Sequence, residues 1–172
     1  MADSYCVALG VPQHLHQLER PRVAFDAPDE LLFRRFNLLT EADVTACIKF
    51  NKMSVNRERF SCPEDVILNT EEGGCYDDCG VAELSVEALR GPSPDGCWIL
   101  KDVPGAYKLQ PVHMPLRCNY AHGEVEVLKD GQAQTKIKPV TVKLAIRRDL
   151  QPRIRVRIPL ERIGHELPLG GE

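Results

Sequence analysis

The strictest alternation of apolar and charged positions lies near the end of the chain, at Arg153-Ile154-Arg155-Val156-Arg157-Ile158. A period of two is that of a β-strand with one buried face. Burying three unpaired arginines is costly, so Ile154, Val156 and Ile158 are assigned inward and the arginines outward. The run 135–148 has the same rhythm. It sets Val140, Val142, Leu144 and Ile146 against Thr141, Lys143 and Arg147, and Pro139 marks a bulge or edge position at its start. Upstream, 124–128 alternates Val125 and Val127 with Glu124 and Glu126. Lys129-Asp130-Gly131 then signals a hairpin, because Asp-Gly accepts the positive φ of a tight turn. Segments 97–101 and 106–113 complete a late series of strands.

The first half has a different pattern. Segments 4–9 and 23–25 read as short strands. From 29 to 39, Leu32, Phe36 and Leu39 fall on a helical stripe that Asp26 or Asp29 can cap. A second helical pattern starts at Thr40, with Asp43 completing a capping box and Val44, Cys47 and Ile48 forming the apolar face. Segment 52–60 reads as an edge strand in which Met53 and Val55 alternate with Ser54 and Asn56. Ser61-Cys62-Pro63-Glu64 marks a helix start. Segment 70–80 is an acidic, glycine-rich loop. Segment 80–90 fits a helix through Val81, Leu84, Ala88 and Leu89, or a strand through Ala82, Leu84 and Val86, with the helix preferred. The expected fold is α+β: N-terminal helices packed on a mostly antiparallel sheet formed mainly by the C-terminal half. Residues 1–172 form one domain, with a loose tail from about 161.

Composition changes this picture in three ways. Apolar residues make up 43% of the chain, enough for a core, and thirteen prolines with twelve glycines imply many turns. No apolar stretch has the length of a membrane span, and the first ten residues carry no positive side chain, so a cytoplasmic location without membrane contact is expected. The seven cysteines are odd in number and irregularly spaced, and read as buried thiols rather than a disulfide framework.

The net charge of −3 conceals a split. Nine acids and one arginine lie between 64 and 95, whereas eight lysines and arginines face one aspartate between 132 and 160. The basic part suits an acidic protein or a phosphate chain. Lys143, Arg147, Arg153, Arg155 and Arg157 are therefore the expected partner-binding residues.

Groups able to do chemistry near neutral pH are densest between Pro111 and Glu124. Cys118 and His122 lie four apart, and a bend can bring His113 across. In a catalytic reading Cys118 attacks an electrophilic carbon and a histidine takes its proton. Asn56 or Arg57 then stabilises negative charge. In a metal reading, Cys75, Cys79, Cys118 and His122 form a Cys3His set for zinc. Ser54, Asn56 and Arg57 are a separate candidate for a polar ligand. His14 and His16 read as solvated loop residues. The phosphate-loop, His-Glu-x-x-His and Gly-x-Ser-x-Gly patterns are all absent from the sequence.

The function expected from these features is that of a non-enzymatic interaction or accessory protein, presenting a basic sheet surface to an acidic protein or nucleic acid. The alternatives are a small cysteine/histidine enzyme and a zinc-stabilised binding module. Oligomeric state is not legible.

Overall fold

The computed structural model describes residues 2–37, 48–50, 52–76 and 79–158. The described elements, in chain order, are α1 (Ser4–Ala8), β1 (Leu31–Asn37), β2 (Met53–Arg57), β3 (Cys79–Ser85), β4 (Trp98–Leu100), β5 (Val103–His113), β6 (His122–Lys129), β7 (Gln132–Gln134), α2 (Val140–Leu150) and β8 (Arg155–Ile158). Single 3-10 turns connect several of them. All described strands join one antiparallel sheet in the order β4-β5-β6-β2-β1-β3-β8, with β7 added to β6. The fold is α+β, with helices and a mostly antiparallel sheet, as the sequence implies.

The late meander forms where its alternation places it. Tyr107, Leu109, Val125 and Val127 all enter the main core. The Asp130-Gly131 turn has φ of 50° and 80°, and joins β6 to β7. Pro63 opens a short 3-10 turn, Pro63–Ile67, in which Asp65 accepts from the Cys62 N–H.

Several segments differ from expectation for one physical reason. Residues four apart share a face in a helix and also in a strand. Leu32 and Phe36 fit a helical stripe, yet they lie on β1. There they enter the main core, while Phe33 joins a second core on the opposite face with Ile67, Cys79 and Val81. A strand buried on both faces loses its polar alternation. The same holds for β3, which forms a strand rather than the preferred helix and is buried almost throughout. β2 is not an edge strand but lies between β6 and β1.

The converse error occurs at α2. Val142, Ile146 and Leu150 are buried at helical spacing, while Val140 and Leu144 are exposed. This helix covers the face of the sheet that carries the main core. Segment 4–9 is helical too, because the Asp3 side chain accepts from the Tyr5 N–H and caps α1. No strand forms at 23–25. The helix expected from Thr40 and the loose tail expected from about 161 fall on residues outside those described.

Candidate functional site

The chain between α1 and β1 runs as a strap over the end of the sheet. The buried side chains of Arg57 and His113 are among its ties, with the Tyr120 hydroxyl donating to the Pro21 carbonyl and the Glu87 N–H to the Pro28 carbonyl. Arg57, at the end of β2, is completely buried. Its guanidinium donates from Nε to Glu30 Oε1 at 2.7 Å and from Nη2 to Glu30 Oε2 at 2.6 Å. The remaining donors reach the carbonyls of Val23 at 2.6 Å and Ala24 at 3.0 Å, and the ring of Phe25 lies 3.8 Å from the guanidinium carbon. A buried arginine needs this degree of satisfaction.

His113, at the end of β5, is another of these ties. The Val23 N–H donates to its Nδ1 at 3.0 Å, and its Nε2 donates to the Tyr120 carbonyl at 2.6 Å. Those two bonds require the neutral ring with its proton on Nε2. Burial holds the His113 pKa below the ordinary histidine value, and the positive charge of Arg57 adds to the effect.

Between the strap and β5 lies a groove of about 650 Å³. Its walls include Arg22, Phe25 and Pro28 from the strap, Val86 and Arg90 beyond β3, and the β5 run from Lys108 to His113. The edge of β5 in this groove is open. The Asp130 N–H donates to the Ala106 carbonyl, and the Met114 N–H donates to the His122 carbonyl. Even-numbered residues of β5 therefore turn their backbone groups toward β6, and odd-numbered residues turn theirs away. β4 takes up only the far end of that outer edge, through Trp98 and Tyr107. The outward backbone groups of Leu109 and Pro111 have no hydrogen-bond partner among the described residues. Pro111, which has no N–H, sits on this outer side, where no ladder bond is lost.

Charge around the groove is asymmetric. Glu87 pairs with Arg90, and Asp26 with Arg59. Arg22 and Lys108 form no ion pair among the described residues, and the groove lining sets Arg22, Arg90 and Lys108 against Asp26 and Glu87, an excess of one positive charge.

The reactive cluster expected around Cys118 does not form. Cys118 is joined to Cys6 in a disulfide that pins α1 to the β5–β6 connection, so its sulfur is neither a nucleophile nor a metal ligand. The expectation of buried thiols alone is corrected with it. Val11, Leu15 and Ala121 pack around the bridge as a small separate core. His113 is a strap residue, and His122 Nδ1 donates to the Met114 carbonyl at 2.7 Å.

The zinc set is not assembled either. Cys75 is exposed on its loop and Cys79 is buried in β3. Among the described residues no group of three His, Cys, Asp or Glu side chains is placed to hold a metal ion. His16 is not solvated: it is buried, accepts from the Asp3 N–H at Nδ1 and donates to the Val11 carbonyl. His14 Nε2 lies 2.8 Å from Asp65 Oδ2.

The five expected partner-binding cations do not share a sheet face. Lys143 and Arg147 lie on α2 and Arg153 in a 3-10 turn. Arg147 donates to the Ile48 carbonyl. Arg153 donates to the carbonyls of Ala88 and Arg90 and pairs with Asp149. On β8, Arg157 neutralises the buried Glu83, while Arg155 is exposed. Val156 is exposed although it pairs with the buried Ala82, because β8 lies at an edge of the described sheet.

The polar trio of Ser54, Asn56 and Arg57 is split by the pleat. Arg57 takes the side toward the strap, and cannot stabilise charge on a ligand while its donors are spent. Ser54 and Asn56 line a small cleft of about 160 Å³, with His122, Asn119, Arg35 and Tyr76. The strap was invisible in the sequence because its ties join positions far apart. No protein-family model matches this chain, and neither does any curated protein or solved structure.

Proposed function

We propose that this is a non-enzymatic interaction protein that takes an extended acidic segment of a partner protein along the open edge of β5. The observation that carries the reading is the unpaired outward backbone at Leu109 and Pro111, facing a groove with an excess of one positive charge. A guest strand would donate to and accept from those groups, and the acidic side chains flanking it would meet Arg22 and Lys108. The apolar walls, Phe25, Pro28 and Val86, suit alternate apolar side chains of the guest. The partner remains the acidic protein expected from composition, but the groove replaces the arginine-rich face as its seat.

The test is fluorescence anisotropy with a labelled peptide of alternating valine and glutamate, its lysine-for-glutamate counterpart, and a single-stranded oligonucleotide. The acidic peptide should bind in a salt-sensitive manner, and R22E/K108E should weaken it at least tenfold. Equal binding of both peptides, or preference for the oligonucleotide, would overturn the reading.

Among the described residues no helix is long and apolar enough to cross a membrane. The Cys6–Cys118 bridge supports an oxidising compartment over the cytoplasm, since cytosolic thiols keep such pairs reduced.

A further inference from the structure

The cleft that holds Ser54 and Asn56 shares no residue with the groove along β5. Its floor is the face of the sheet opposite α2, and the segment from Val66 to Tyr76 closes over it. At its base Asn119 Nδ2 donates to Asn56 Oδ1 at 3.0 Å. Two facing carboxamides can close a ring of two such bonds, but here only one is made. Asn56 Nδ2 and Asn119 Oδ1 are buried and have no hydrogen-bond partner among the described residues. Both side chains are more than nine-tenths buried, with Asn56 5% and Asn119 9% exposed.

Leaving a buried polar atom unmatched forfeits the hydrogen bond it had with water and gains none in return. Here two such atoms, one donor and one acceptor, belong to residues that line one cleft. Turning both amides over exchanges the roles but still leaves one donor and one acceptor.

We propose that this cleft is a binding site for a small neutral molecule with an amide edge, a primary carboxamide or a lactam. Its C=O accepts from Asn56 and its N–H donates to Asn119, which completes the broken ring. The cleft is small, which excludes a polypeptide segment. Arg35 and Tyr76 line the same cleft, with the Arg35 guanidinium carbon 3.5 Å from the Tyr76 ring centre. That stacked pair offers a flat wall to a planar ligand. Carboxylates are disfavoured, because they bring no N–H for Asn119 Oδ1.

The test uses 15N-labelled protein titrated with acetamide and with uracil, and with N,N-dimethylacetamide and acetate as controls. Saturable shifts of the Asn56 and Asn119 side-chain NH2 signals are expected with the first two. N,N-dimethylacetamide, which lacks the N–H, should bind at least tenfold more weakly. The variant N56L/N119L, which removes both polar groups together, should abolish the shifts of neighbouring backbone amides. If that variant does not fold, the comparison of probes on the unaltered protein decides. No saturable shift with any probe, or equal response to dimethylacetamide, would overturn the assignment and leave the cleft as a water site.

Discussion

Arg57 and Glu30 form a two-bonded ion pair that is sealed from solvent, 27 residues apart in sequence. Glu30 stands at the foot of β1 and Arg57 at the end of β2, so the pair locks the strap's exit to the centre of the sheet. Removing one member leaves the other buried and unmatched. R57M should therefore destabilise the fold by about 3–5 kcal/mol, measured by urea unfolding. The double variant R57M/E30L should cost less than R57M alone, because no unpaired carboxylate remains. Equal losses would mean that the Val23 and Ala24 carbonyls, rather than Glu30, are what the arginine serves.

His113 gives the strap a pH dependence. Its folded pKa lies below the ordinary value of 6.5, chiefly through burial. The unfolded chain thus binds a proton on this ring before the folded chain does. Its contribution is present in full above pH 6.5 and is lost as pH falls from there toward the depressed folded value. Urea midpoints should decline over that interval, and H113Q should flatten the decline. A profile that H113Q leaves unchanged would assign the acid sensitivity to other groups.

The Cys6–Cys118 bridge closes a loop of 112 residues. Its loss, in C6S/C118S or under dithiothreitol, should cost about 2–5 kcal/mol in thermal or urea unfolding. Exchange of the Tyr120 amide, which donates to the Leu15 carbonyl across the same small core, should accelerate. Unaltered unfolding would show that the small core holds α1 without the bridge.

Cys62 tests the local electrostatics around the Pro63–Ile67 turn. Partial desolvation beside the turn pushes its thiol up to about 11, and the neighbouring carboxylate of Asp65 adds to the shift. A thiolate is the reactive form, so alkylation of Cys62 should stay slow at pH 7–8 although the residue is exposed. Mass spectrometry of iodoacetamide-treated protein reads this directly. Rapid labelling of Cys62 at neutral pH would contradict it.

The parts of this fold legible in sequence are those in which one face of a strand is wet. β5, β6 and the Asp130-Gly131 turn were readable because their polar positions recur every second residue. β1 and β3 are buried on both faces, so Phe33 and Val81 interrupt the alternation that would have marked them as strands. Val142, Ile146 and Leu150 carry the opposite ambiguity, since a spacing of four suits either period. At the site, residue type pointed to Cys118, His113, Asn56 and Arg57, but not to their partners. Cys6, Glu30 and Val23 lie far away along the chain, and nothing local ties Cys118 to Cys6 rather than to another cysteine. The open edge of β5 had one sequence signal, Pro111, a residue that an inner strand position excludes.

The most direct measurement of the central claim is amide hydrogen exchange along β5, with and without the acidic peptide. In the unbound protein the outward amide of Leu109 should exchange faster than the inward amides of Gln110 and Val112, which bond to β6. Saturating peptide should slow Leu109 to the rate of its neighbours and leave Gln110 and Val112 unchanged. If the peptide binds while Leu109 keeps its unbound rate, the edge of β5 is not where the partner sits.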